Sequence, residues 1–227
     1  MSSFDSQQIE IPSKIPVMTL PGAVLFPQVI MPLYIFEERY RSMLADVLAE
    51  SRMFGILTRD ENAPDSEDEA YHAMGTIGMV RTSHDNPDGT SNILLQGLTR
   101  FTVDEVVQEE PYRMVHINPV STCRDEAPYP FLKERVLDLL KKKRGLGAKV
   151  PKDVTDFLSD LENEESFIEF ASFTSTEDAM EKLELLELIQ NRARFERLIE
   201  ILERQNEDLL LYRKLRQGLR DDDIGLN

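Results

Sequence analysis

The chain has 227 residues, 41% hydrophobic and 30% charged, a balance that suits one or two packed cores and excludes both wholesale disorder and a membrane-protein composition. Its 42 acidic and 26 basic side chains leave a formal charge of −16, spread over both halves, which repels phosphate backbones and argues against nucleic acid as a partner. Cys123 is the only cysteine, so no intrachain disulfide can form, and an idle thiol in a reducing cytoplasm is expected.

After a polar leader over 1–13, "KIPVMTL" predicts a strand. It opens an uncharged run, Ile15 to Phe36, whose 22 residues match the length of a membrane-spanning helix. Pro21, Pro27 and Pro32 each remove a backbone donor and push the preceding residue out of the helical region, and Gly22 adds to the cost. No continuous helix survives, so no membrane partner is expected. The preceding residues hold Asp5 and Glu10 against one lysine, unlike a secretory leader, and no cleavage pattern follows Phe36. The run should therefore thread a folded interior as strand and extended chain, with prolines at edges, ends or bulges.

From Glu38 to Glu50, Tyr40, Met43, Leu44, Val47 and Leu48 recur at helical spacing, predicting a helix packed on the sheet. "MFGILT" predicts a buried strand. The acidic "RDENAPDSEDEAYH" carries too little apolar surface to pack and reads as a solvated connector, with docking of a basic partner the less favoured use. The β-branched segments between Met74 and Val120, broken by the turn residues "NPDG", predict an antiparallel sheet or small barrel.

Composition changes at "STCRDEAPYP", which sets a β-rich lobe over 14–121, a connector over 122–130, a helical lobe over 131–219 and a frayed tail over 220–227. Pro130 opens a helix with Leu132, Val136, Leu139 and Leu140 on one face and Gly145 as C-cap; its "KKKR" complements the negative end of the helix dipole. A second helix from Pro151 turns Val154, Phe157, Leu158 and Leu161 inward. "EESFIEFASF" gives a short third. Ser175 and Asp178 have capping-box-like spacing before "AMEKLELLELI", and Asn191 is a candidate cap. From Arg192 to Leu219 apolar residues including Phe195, Leu202, Leu209, Tyr212 and Leu215 suit packing in a bundle better than a coiled coil.

Chemistry has no clear sequence handle. "GLGAK" lacks the Ser or Thr and the strand-to-helix setting of a phosphate loop, and no G-x-S-x-G elbow is present. His72, His84 and His116 lie on separate segments without recognised metal spacing. No catalytic, cofactor or metal residue is nominated.

"IPVMTLPGAVLFPQVIMPLYIFEERY" resembles the opening of the N-terminal substrate-binding domain of Lon proteases, particularly its stand-alone bacterial versions. The matching positions are Leu20, Pro21, Phe26, Pro27, Pro32, Leu33, Phe36, Glu37, Arg39 and Tyr40, followed by "GILT" and "MGTIGMV". Gly97, Arg100 and Phe101 in "LLQGLTRFTV" match a later glycine and arginine turn, and the helical half follows in order to about Arg216. The resemblance implies an α+β chain: a PUA-like pseudobarrel with one packed helix, then an all-helical lobe. Full-length Lon proteases continue into ATPase and protease modules, and the phosphate loop and catalytic dyad of those modules have no counterpart here, so no enzymatic activity is expected.

The resemblance further implies a non-enzymatic module that binds unfolded or apolar polypeptide segments as adaptor or holdase. A separate protease or ATPase and a homo-oligomeric assembly stay open as partners. Two alternatives stand beside it: RNA binding, as other PUA-like barrels do, and an enzyme with a site between the lobes. The motif residues are expected to be structural, with Phe26 and Phe36 filling core, Gly97 permitting a turn and Arg100 pairing with Glu37.

Overall fold

A computed structural model describes residues 10–63, 70–123 and 128–224, with side chains to Arg216. The middle of the acidic connector, part of the 122–130 link and the last three residues of the expected tail lie outside the described residues. The chain forms two compact units: Met1–Pro21 with Ile30–Val120, and Gly22–Val29 with Ser121–Asn227. The first holds six strands and one helix and the second five helices among the described residues, so the chain as a whole is α+β.

In the first unit, strands β1 (Lys14–Leu20), β2 (Ile30–Ile35), β3 (Met53–Arg59), β4 (Tyr71–Asp85), β5 (Ser91–Gln108) and β6 (Met114–Val120) join in the order β2-β5-β4-β3-β1-β6. β6 bonds back to the second half of β5, so five strands close on themselves and β2, attached to β5 alone, is the edge. Free strand edges invite further pairing, and Pro32 within β2 blunts this one by removing a donor. Helix α1 (Glu38–Ala49) buries Tyr40, Met43, Leu44 and Val47, as its spacing predicts.

Phe101 is fully buried with Ile15, Val17, Leu57, Ile77 and Val115. Its ring fits because Gly55 and Gly75 lack a Cβ, which would run into it at either position. Gly97 is not at a turn: it lies in β5 opposite Gly78, where the register slips past Leu98. A bulge rather than a reversal explains the glycine there. The reversal is "NPDG", where Gly89 has φ +82° and the Asp88 carboxylate accepts from the Thr90 amide and hydroxyl.

The second unit contains α2 (Pro130–Gly145), α3 (Lys152–Asp160), α4 (Glu164–Ser175), α5 (Ala179–Glu187) and α6 (Asn191–Ile224). The left-handed residue after α2 is Gly147 (φ +99°), not Gly145, which is still helical. The basic end of α2 is tied down: Lys143 donates to the Ser175 carbonyl and Gln205, and Arg144 to the Thr155 hydroxyl. Asp178, not Ser175, caps α5, accepting from the Met180 and Glu181 amides; Ser175 is the last residue of α4. Phe157 points outward, edge-on to Phe170, while Thr155 and Leu158 take the inner face of α3. The expected tail continues α6 to Ile224, and Tyr212 and Leu215 are exposed rather than bundled.

Residues Gly22–Val29 supply core to this helical unit. Val24, Leu25, Phe26 and Val29 are buried, Phe26 meets Phe173 edge-to-face at 6.4 Å, and Gln28 accepts from the Ser166 hydroxyl at 2.7 Å. Positive φ angles at Gly22 (63°) and Gln28 (67°) turn the chain near both ends of this excursion.

A candidate protein-recognition face

The excursion ends at Val29, and β2 follows at once. Side chains alternate across a strand, so Ile30, Pro32 and Tyr34 share one face while Ile35 turns into the core. Phe36 continues the outward series beyond the strand. Ile30, Tyr34 and Phe36 keep 51%, 53% and 59% of their surface in water, and Leu94 on the adjoining strand keeps 39%. The Tyr34 and Phe36 rings stack at 5.8 Å. Phe36 is thus no core residue. Single exposed apolar side chains are ordinary on protein surfaces, but here five that share one face form a continuous patch.

Register places the neighbours of this strip. Pro32 pairs with Leu94 and Leu94 with Thr82; Tyr34 pairs with Asn92 and Asn92 with His84; Ile30 pairs with Gln96. A shallow depression of about 390 Å³ lies along Pro32, Tyr34, Leu94, Asn92, Thr82 and His84. Its lining has no acid. Arg81 stands where β4 slips register, donating from Nε to the Gln96 side-chain carbonyl at 2.6 Å and from Nη1 to the Met79 sulfur at 3.2 Å.

The remaining motif residues serve the frame. Pro21 follows β1, Pro27 is buried in the helical unit, and Glu37 precedes α1 in extended backbone. Glu37 takes Arg39 as its cation at 3.0 Å, not Arg100, and Arg39 also covers the Tyr40 ring. The Tyr40 hydroxyl reaches the Thr19 carbonyl at 3.5 Å. Arg100 is buried in β5, paired in register with Thr76 on one side and Val120 on the other.

Catalytic geometry has little to draw on among the described residues. No group of three or more His, Cys, Asp and Glu side chains is placed to hold a metal ion. A second depression, about 510 Å³, runs between α1 and the "NPDG" turn and mixes Glu38, Arg41 and Asp85. Nearby, hydrogen bonds from Thr90 hold the Asp88 carboxyl below the usual carboxylate range. Cys123 is exposed, its amide bonded to the Ile189 carbonyl. No described helix is long and apolar enough to cross a membrane.

A closed sheet with one apolar, outward-facing edge strand, joined to a helical unit, defines the class: an α+β protein. Residues 14–204 match the family model described as the ATP-dependent protease La (LON) substrate-binding domain, and the chain belongs to that family. It is 29% identical to a Lon protease of Flavobacterium johnsoniae over 170 residues, 71% of this chain and 20% of that protein. With a Lon protease of Chloroherpeton thalassium it shares 25% identity over 95% of its own length and 26% of the relative's. The chain thus spans about a quarter or less of these relatives. The fold matches the crystal structure of a Lon N-terminal domain protein from Xanthomonas campestris with a TM-score of 0.63 at 18% identity, covering 83% of this chain and 98% of that one. The N-terminal domain of the Mycobacterium avium complex Lon protease gives a TM-score of 0.63 at 16% identity, over 84% and 98%.

Proposed function

We propose that the chain is a non-enzymatic cytoplasmic recognition module that captures apolar or unfolded segments of other proteins on the outer face of β2, as an adaptor or holdase. The observation that carries this reading is the alternation of Ile30, Pro32, Tyr34 and Phe36 toward water on the one edge strand of a closed sheet. Fully burying an aromatic or aliphatic side chain of this size is worth about 1.5–3 kcal/mol, so contact along the whole strip, and not at one or two side chains, is needed to offset the costs of association. The family's description as a substrate-binding domain supports it. Because Pro32 interrupts the donors of the edge, a bound segment lies against the face rather than extending the sheet.

The test is binding of a panel of fluorescently labelled unfolded polypeptides to the whole chain and to its Tyr34→Ser/Phe36→Ser variant. Capture by the native chain, weakened about ten-fold or more in the variant with unchanged melting temperature, supports the reading. Absence of capture across the panel, or equal capture by the variant, overturns it.

A further inference from the structure

The rim of the β2 face carries a second piece of information about what binds there. Arg81 spends two of its five N–H donors on Gln96 and Met79, neither of them anionic, and no ion pair engages it among the described residues. It is exposed, as are its strand neighbours Thr82 and His84. Gln96, which takes the Nε donor, pairs in register with Ile30 at one end of the apolar strip. Adjacent strands are about 4.8 Å apart, so the β4 backbone runs roughly 10 Å across the sheet from β2, and the Arg81 side chain reaches from it to the Gln96 side chain on the intervening strand. The depression beside the strip has no acid in its lining, within a chain of net charge −16.

We propose that the β2 face selects apolar segments that carry an acidic residue, whose carboxylate is received by the Arg81 guanidinium. This inference rests on the capture reading above and adds the substrate's chemistry to it. The apolar side chains of the segment cover Tyr34, Phe36 and Leu94, and a Glu or Asp on its β4-facing side reaches the remaining donors of Arg81. A planar guanidinium pairs with a carboxylate through two parallel bonds, which suits it to this role better than a lysine. The chain's overall negative field opposes acidic ligands at a distance. At physiological ionic strength it is screened beyond about 8 Å, so the local cation decides.

The experiment compares three labelled peptides of one apolar sequence, carrying Glu, Gln or Lys at one flanking position, against the native chain and Arg81→Gln in 0.15 M salt, a strength at which only near charges act. The native chain should bind the Glu peptide about three- to five-fold more tightly than the Gln peptide, the upper part of the range of an exposed ion pair, and the Lys peptide no better than the Gln peptide. Arg81→Gln should remove that preference and leave Gln-peptide affinity unchanged. Equal binding of the Glu and Gln peptides, or a preference that survives in Arg81→Gln, overturns the acid selection while capture stands. If all three peptides bind Tyr34→Ser/Phe36→Ser as well as the native chain, the capture reading itself fails.

Discussion

Glu169 on α4 and Arg194 on α6 form an ion pair at 2.8 Å with essentially no exposure to solvent. Arg194 also donates from Nε to the carbonyl of Leu188, fixing the link between α5 and α6. A buried pair gains little over well-packed apolar residues, but removing one partner strands the other charge. Glu169→Leu or Arg194→Met should each destabilise the chain by about 3–5 kcal/mol, and Glu169→Leu/Arg194→Met by far less than their sum. Urea unfolding with native m-values measures this, and additivity would count against the pair.

Two glycines around Phe101 differ in what can yield. A methyl group at position 55 meets the Phe101 ring and Val17, all side-chain atoms, whereas at position 75 it also meets the backbone carbonyl of Ile56. Gly55→Ala and Gly75→Ala should each cost about 1–3 kcal/mol through overpacking. Adding Phe101→Leu should recover part of the first loss and little of the second, read as shifts in denaturation midpoint.

Tyr112 titrates late. Burial first, then its hydrogen bond to Asp46 (2.7 Å) and the charges of Asp46 and Glu50, push its hydroxyl from 10.0 to about 12. The folded chain therefore keeps a proton that the unfolded chain gives up, and this contribution to stability is lost as pH rises from 10 to about 12. Absorbance titration of tyrosinate should show a late step that vanishes in Tyr112→Phe and moves to lower pH in Asp46→Asn.

The start of α5 separates two capping assignments. Asp178 accepts from two amides, so Asp178→Ala should cost about 1 kcal/mol of stability. The Ser175 hydroxyl is buried without a hydrogen-bond partner among the described residues, so Ser175→Ala should be neutral or mildly stabilising. A larger loss at Ser175 than at Asp178 would restore the sequence-based capping box.

Periodic signals survived folding well: the α1 stripe, the "MFGILT" strand and the "NPDG" reversal follow from local spacing and turn chemistry. Long-range facts did not show. Nothing near Phe36 distinguishes it from Phe26, because their fates depend on which unit each segment joins: Phe26 is fully buried and Phe36 exposed. Tyr212 and Leu215 keep helical spacing, yet they stay in water, since spacing cannot say where a helix outlasts its neighbours. The pairing of Glu169 with Arg194 spans 25 positions and has no periodic signature. The strip on β2 was visible as uncharged sequence, but only the folded chain shows that β2 is an edge strand and that Ile30, Tyr34 and Phe36 stay in water.

The excursion of Gly22–Val29 means that the two units are interleaved along the gene rather than laid end to end. A single break at the Val120 to Ser121 junction would send Leu25 and Phe26 away with the strands and leave the helical core short of the side chains it was built around. Any exchange of one unit for another in this architecture must therefore carry eight residues across with it, or arise in a chain that keeps both.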